Sequence, residues 1–324
     1  MPAPFPDDDV DPAIRKWLGA MFDASARLGA RDGLPVADRR AIAEKQREPW
    51  RSGGPVMASS ERLAIGPHGL RLRIHRPAAA SPSPVLLYLH GGGWTLFSID
   101  THDRLMREYA AASGMAVAGL DYRLAPEHPF PAALDDVGMA LDWLQTEGAN
   151  HGLDPSRFAL GGDSAGANLA LVAALDLRDR GGALPRALLL NYGAYDRAWH
   201  PSYQRYGDGE RYMLTGPEMD AFWDTYLTGV QTDVRTGTPG TDPRIEPLHA
   251  DLAGLPPAWL CIAQCDVLLD ENLEMARRLT AAGNLAQAKV YKGATHSFLE
   301  ATDSAAIAAK AIAEGAEWLT TQLA

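Results

Sequence analysis

Six short apolar runs constrain this 324-residue chain more than any other feature. Val85-Leu-Leu-Tyr-Leu89, Met115-Ala-Val-Ala-Gly-Leu120, Phe158-Ala-Leu160 and Ala187-Leu-Leu-Leu190 each precede a turn signal and then a helical pattern. Trp259 to Ala263 and Ala288-Lys-Val-Tyr291 follow later. Runs that are continuous rather than alternating suit strands buried on both faces of a mainly parallel sheet. Leu70-Arg-Leu-Arg-Ile-His75 does alternate, which predicts a half-exposed antiparallel edge strand. Helical patterns fill the gaps, at about 103–113, 131–145, 165–180, 271–282 and 304–323. Strand and helix therefore alternate, and the expected class is α/β with helices on both faces of the sheet. At 46% hydrophobic residues the chain can bury a large core.

Two segments break the alternation. Residues 1–50 hold one or two amphipathic helices, around 10–28 and 37–47, and no strand. Residues 196–247 are rich in Gly, Pro, Thr and aromatics, with one helix-like stretch at 217–227. The expected division is thus a first cap segment (1–50), a first part of the core (51–195), a second cap segment (196–247) and the rest of the core (248–324). Together the two segments can cover the carboxyl ends of the strands, where open α/β sheets bind ligands.

Composition narrows the partners. A net charge of −11 argues against nucleic acid, which needs a basic face. The acidic, proline-rich start, Met1-Pro-Ala-Pro-Phe-Pro-Asp-Asp-Asp, is not a secretory signal, and no run of 18 apolar residues is present. A cytoplasmic protein with no membrane partner is expected. The two cysteines, Cys261 and Cys265, fall in or beside one apolar run; at strand spacing they lie about 13 Å apart, too far for a disulfide. They read as small buried hydrophobes.

The chemistry centres on Gly161-Gly-Asp-Ser-Ala-Gly-Ala-Asn168, which places Ser164 in a G-x-S-x-G pentapeptide. Chance alone gives that pattern roughly 0.1 times in a chain this long. Here an apolar run precedes it and a helical stretch follows, the strand–turn–helix setting in which a serine is presented as a nucleophile. A serine hydroxyl needs a base, an orienting acid and an oxyanion site, and in this setting the order is Ser, then Asp or Glu, then His. His296, just past the strand-like Lys289-Val-Tyr291, is the sole histidine after position 249. His249 is the rival, but it precedes a strand and so sits at the wrong end of the sheet. Asp266 ends the run beginning at Trp259. Asp270 and Glu271 compete, yet they fall where the next helix starts and read as capping or first-turn residues. For the oxyanion, the amide of Ala165 and those of His90-Gly-Gly-Gly-Trp94, directly after Val85 to Leu89, are the candidates. No phosphate-loop pattern and no H-E-x-x-H is present. His90 therefore reads as a structural residue that holds its loop.

His90-Gly-Gly-Gly-Trp94, Asp121-Tyr-Arg-Leu-Ala-Pro-Glu-His-Pro-Phe-Pro-Ala-Ala133 and Gly162-Asp-Ser-Ala-Gly-Ala-Asn-Leu-Ala170 together resemble the hormone-sensitive-lipase-like (bacterial family IV) esterases. With Asp266 and His296 the resemblance runs from about residue 60 to the C-terminus. It implies an α/β-hydrolase fold with a two-part helical cap and an acyl-enzyme mechanism. Ser164 would be the nucleophile, His296 the base and Asp266 its partner, with Gly92, Gly93 and Ala165 supplying the oxyanion amides. Arg123 and Glu127 would brace loops. No metal or organic cofactor is implied, the substrate would be a small-molecule ester, and a homodimer through the sheet edge near the last strand and helix is expected. The chain departs from the family in two places: it reads Asp266-Val-Leu-Leu-Asp-Glu-Asn272 where Asp-Pro-Leu-x-Asp-Glu-Gly is common, and His296-Ser-Phe298 where His-Gly-Phe is common.

The same machinery could cleave an amide, carbamate or lactone, and a non-catalytic ligand-binding member of the fold is a further alternative. Trp199, Tyr203, Tyr206, Tyr212, Phe222, Trp223 and Tyr226 crowd the second cap segment, and Trp94 and Phe97 follow the glycine loop. Most are expected in the cap's own core; any that line an acyl pocket would shorten it, favouring acetyl to butyryl groups.

Overall fold

A computed structural model describes residues 9–29, 33–79, 82–230 and 242–324. The eight-stranded sheet has the order β1-β2-β4-β3-β5-β6-β7-β8. Its members are β1 (Ser59–Ile65), β2 (Leu70–Arg76), β3 (Ser83–Leu89), β4 (Ala116–Asp121), β5 (Leu153–Asp163), β6 (Ala187–Asn191), β7 (Ala258–Cys265) and β8 (Ala286–Thr295). β1 and β2 pair antiparallel, as do β2 and β4, and every pair from β4 through β8 is parallel. The apolar runs are the parallel strands; β3 and β6 are almost wholly buried because helices cover both faces, but Ala288 to Tyr291, expected buried, falls in the edge strand β8 and is largely exposed up to Val290.

The expectation for Leu70 to His75 needs correcting. It is antiparallel, but β1 lies outside it and forms the edge, so β2 is mostly buried. β1 escaped notice because only Leu63 and Ile65 turn inward and Ser59–Arg62 carry no large apolar residue.

Helices α4 (Ala132–Glu147), α5 (Ala165–Asp179) and α9 (Leu269–Ala281) pack on one face, and α3 (Asp103–Ser113), α10 (Ala306–Leu323) and α1 (Pro12–Leu28) on the other. α1 starts where Asp11 accepts from the amides of Ala13 (2.8 Å) and Ile14 (3.2 Å), with Pro12 in the first turn. It joins α2 (Val36–Arg51). Between β6 and β7 the chain forms α6 (Pro201–Tyr206), α7 (Gly209–Tyr212) and α8 (Gly216–Tyr226), two more helices than the single one expected. α8 opens on a capping box, Thr215 with Glu218. α1 touches α7, so the two irregular segments meet. Among the described residues no helix is long and apolar enough to cross a membrane.

Candidate active site

The sharp turn after β5 is enforced by contact. A Cβ on Gly162 would run into the carbonyl of Leu89 and the backbone of Gly166, so only hydrogen fits between β3 and the start of α5. Ser164 consequently stands at φ +54°, outside the ordinary range for a side-chain-bearing residue. Its Oγ lies 3.0 Å from His296 Nε2, and His296 Nδ1 lies 2.7 Å from Asp266 Oδ2. Ser164 follows β5, Asp266 follows β7 and His296 follows β8, so the ends of three strands on the same edge of the sheet deliver three side chains to one point. All three are buried. The other oxygen of Asp266 accepts the Leu268 amide at 3.0 Å, which fixes the carboxylate's orientation.

The glycine loop after β3 arrives from the adjacent strand. Gly92 and Gly93 have φ of +115° and +58°. Their amides and that of Ala165, the first residue of α5, have no acceptor among the described residues. Such a set of donors at a helix N-terminus can hold a developing negative oxygen. The loop is pinned from several sides. Thr95 Oγ1 donates to the Gly93 carbonyl (3.0 Å), and Arg40 of α2 donates to the carbonyls of Thr95 and Ala125 (both 2.7 Å) while pairing with Glu127. Trp94 stacks on Tyr226 at 4.4 Å and meets Trp223 at 4.3 Å. His90 is structural as expected: its Nδ1 lies 2.8 Å from the Gly91 carbonyl and its ring stacks on Tyr122. Burial, aided by the nearby charge of His102, lowers its pKa to about 4. Arg123 braces Asp136.

Beneath this loop lies a buried polar group that the sequence did not reveal. Asp163 accepts from Tyr88 Oη (2.8 Å) and from the Gly91 amide (3.2 Å), and sits 3.4 Å from His102 Nε2. Burial opposes charge on both partners, yet their mutual attraction wins: the His102 pKa is raised and the Asp163 pKa lowered. The nearest sequence signal was Asp163's place beside the nucleophile; nothing marked His102.

A cleft of about 180 Å³ opens onto Ser164 and His296. Both irregular segments contribute to its wall, through Phe22, Arg47, Met213 and Phe222, and it also meets Phe97 and Glu300. Of the aromatics expected around it, Phe97 and Phe222 line it; Tyr203, Tyr206, Tyr212, Trp223, Tyr226 and Trp94 are buried in packing, and Trp199 is exposed. Arg47 is buried, pairs with Glu300 at 2.9 Å and lies over the Phe97 ring at 4.7 Å. Sequence reasoning missed it. Ala43, Gln46 and Arg47 form the buried face of α2, so helical spacing placed an arginine among inward positions.

The two departures from the family pattern have structural counterparts. Asn272 donates to the Gly193 carbonyl (2.8 Å) and accepts its amide (3.1 Å), clamping the peptide where the second cap segment begins. Ser297 takes φ +60°, a conformation glycine adopts without strain. Asp270 and Glu271 occupy the first turn of α9, and His249 lies away from Ser164, Asp266 and His296, beside Asp196.

Comparisons with known proteins agree with this fold. A family profile described as an alpha/beta hydrolase fold matches residues 86–300. The carboxylic ester hydrolase LipN of Mycobacterium tuberculosis is 36% identical over 307 residues, covering 90% of this chain and 77% of that protein. An ethyl acetate hydrolase of Pseudomonas putida is 39% identical over 238 residues, 72% of each chain. The solved structure of an esterase from the bacterial hormone-sensitive lipase family superposes with a TM-score of 0.83 at 30% identity, over 97% of this chain and 99% of that one. The chain belongs to the α/β-hydrolase family, in its hormone-sensitive-lipase-like branch of esterases.

Proposed function

We propose that this carboxylic ester hydrolase cleaves short-chain acyl esters, acetyl to butyryl, through an acyl-enzyme on Ser164. The observation that carries the mechanism is the unbroken chain from Ser164 Oγ to His296 to Asp266. His296 takes the hydroxyl proton as Oγ attacks the carbonyl carbon, and Asp266 holds the imidazole tautomer and its positive form. The amides of Gly92, Gly93 and Ala165 stabilise the oxyanion, each by about 3 kcal/mol. His296 then hands its proton to the leaving alcohol, and water repeats the sequence to release the acid. None of these steps requires a metal or an organic cofactor.

Two features support a short acyl group. The cleft is smaller than the roughly 300–1,000 Å³ of pockets for drug-sized ligands. Its wall also includes the buried Arg47–Glu300 pair, against which a long alkyl chain would lie without desolvation gain. The name of the Pseudomonas putida relative points the same way. The test is a series of p-nitrophenyl esters from C2 to C12 on the wild type and Ser164→Ala. The expected result is a maximum at C2–C4, abolished by several orders of magnitude in the folded variant. A maximum at C10 or beyond overturns the short-chain reading, and undiminished turnover by Ser164→Ala overturns the mechanism.

A further inference from the structure

Where the chain leaves the core after β6, and where it returns before β7, three donor groups converge outside the catalytic cleft. They belong to Asp196 on the outgoing stem and to Glu246 and His249 on the returning one. One ligand atom from each lies within 4.8 Å of the others. Both acids are buried, at 4% exposure each, while His249 is half-exposed and opens the cluster to solvent. Glu246 Oε1 accepts the Arg197 amide at 3.0 Å, but Oε2 is buried with no hydrogen-bond donor. Asp196 Oδ1 lies 3.3 Å from His249 Nε2, and Oδ2 lies 3.0 Å from His200 Nε2.

Two carboxylates that face each other out of water need a positive charge between them, either a proton or a cation.

We propose that Asp196, Glu246 and His249 bind one divalent transition-metal ion of the zinc class, fastening together the two stems of the cap insertion. Two donors at about 2.0–2.1 Å from a tetrahedral ion stand about 3.4 Å apart, and Asp196 Oδ1 and His249 Nε2 already stand at 3.3 Å. Two carboxylates and an imidazole suit Zn²⁺ or Co²⁺, whereas Ca²⁺ and Mg²⁺ favour more numerous oxygen donors. His200, on the second oxygen of Asp196, orients that ligand. The fourth position faces solvent beside His249. The stems are already linked, Leu248 N–H to the Tyr195 carbonyl at 3.1 Å, so the ion reinforces an existing seam. It is a structural ion and takes no part in ester cleavage.

The test uses the full chain without a histidine tag, stripped with chelator. Co²⁺ is titrated by its visible absorption and Zn²⁺ by competition calorimetry. One equivalent per chain is expected, selective over Mg²⁺ and Ca²⁺, with melting raised by about 4 °C at a hundredfold excess of Zn²⁺ over Kd. Glu246→Gln and His249→Ala each weaken binding at least about tenfold and remove the rise, while the exposed His68→Ala changes neither. His249→Ala is the variant that keeps the test decisive, because a half-exposed side chain can be removed without unfolding, as its melting in chelator checks. Absence of stoichiometric binding overturns the proposal, as does binding undiminished in His249→Ala. A Glu246→Gln protein that melts higher than wild type, with no metal bound by either, identifies a shared proton and overturns it as well.

Discussion

Gly93 sits at the tightest junction between the glycine loop and the cap, and replacing it by alanine separates two costs that usually come together. At φ +58° a Cβ costs about 1–2 kcal/mol of backbone strain whatever surrounds it. That Cβ also lands within the Phe222 ring of α8, an overlap that costs about 1–3 kcal/mol more to relieve. The sum, about 2–5 kcal/mol, corresponds to a fall in melting temperature of about 3–7 °C in a chain of this length. Something must also move. Trp94 is stacked on Tyr226 and Thr95 is held by Arg40, so the loop is anchored beyond Gly93, whereas Phe222 borders open cleft. If Phe222 gives way it moves into the cleft beside Ser164, and if the loop yields instead the Gly93 amide leaves its proposed oxyanion position, where losing one donor costs about 10²–10³ in kcat. The assay is a double-mutant cycle, measuring kcat/KM on p-nitrophenyl acetate and melting for Gly93→Ala, Phe222→Ala and the pair. Gly93→Ala alone is expected to lose about 10²-fold in kcat/KM, and the same change without the ring less than tenfold, a coupling of about 1–3 kcal/mol. If alanine at 93 costs as much in the absence of Phe222 as in its presence, the steric reasoning is wrong and strain alone limits the site.

Two further outcomes are expected. Because the folded-state pKa of His102 is raised, its pairing with Asp163 stabilises fully below the ordinary value near 6.5 and is lost as pH climbs through the raised value; the Asp163 share is lost only on acidification through its lowered pKa. Melting should therefore fall as pH rises above about 6.5, and His102→Asn should reduce that slope to the part left by the other groups whose pKa is raised, among them His200, paired with Asp196, and the buried Glu271; an unchanged slope removes His102 from the account. Arg47→Met should destabilise the protein by about 3–5 kcal/mol by leaving Glu300 buried and unpaired, and Arg47→Met with Glu300→Leu should recover most of that while moving the acyl optimum to longer chains. Chemical denaturation and the ester series read both effects, and a double variant no more stable than the single one contradicts the pairing.

The parts of this fold legible in the sequence share one property: their pattern follows from burial on both sides or from backbone geometry. The parallel strands read as continuous apolar runs, and the order of Ser164, Asp266 and His296 follows from strands that must deliver them to one edge of the sheet. The elusive parts are edges and cross-chain pairs. β1 shows one side to solvent and carries few large residues, so its alternation is faint. α6 and α7 are too short to build a period. Arg47 and Glu300 are 253 positions apart, and the Asp163–His102 pair spans 61; neither partner means anything without the other. Propensity is local, and these interactions are not.

Asn168, one turn past Ser164 on α5, donates from one amide nitrogen to the carbonyls of both Ala194 (2.8 Å) and Ile245 (3.2 Å). The segment between β6 and β7 therefore departs and returns at nearly the same point, held there by the catalytic helix itself. A loop whose ends are already joined closes at a cost that grows only logarithmically with length, about 0.6 kcal/mol for each doubling. Changes of length beyond that knot should thus be tolerated without disturbing Ser164, as long as Trp223 and Tyr226 remain to pack on Trp94. One asparagine thus ties both ends of a segment whose length can change while the place of Ser164 does not.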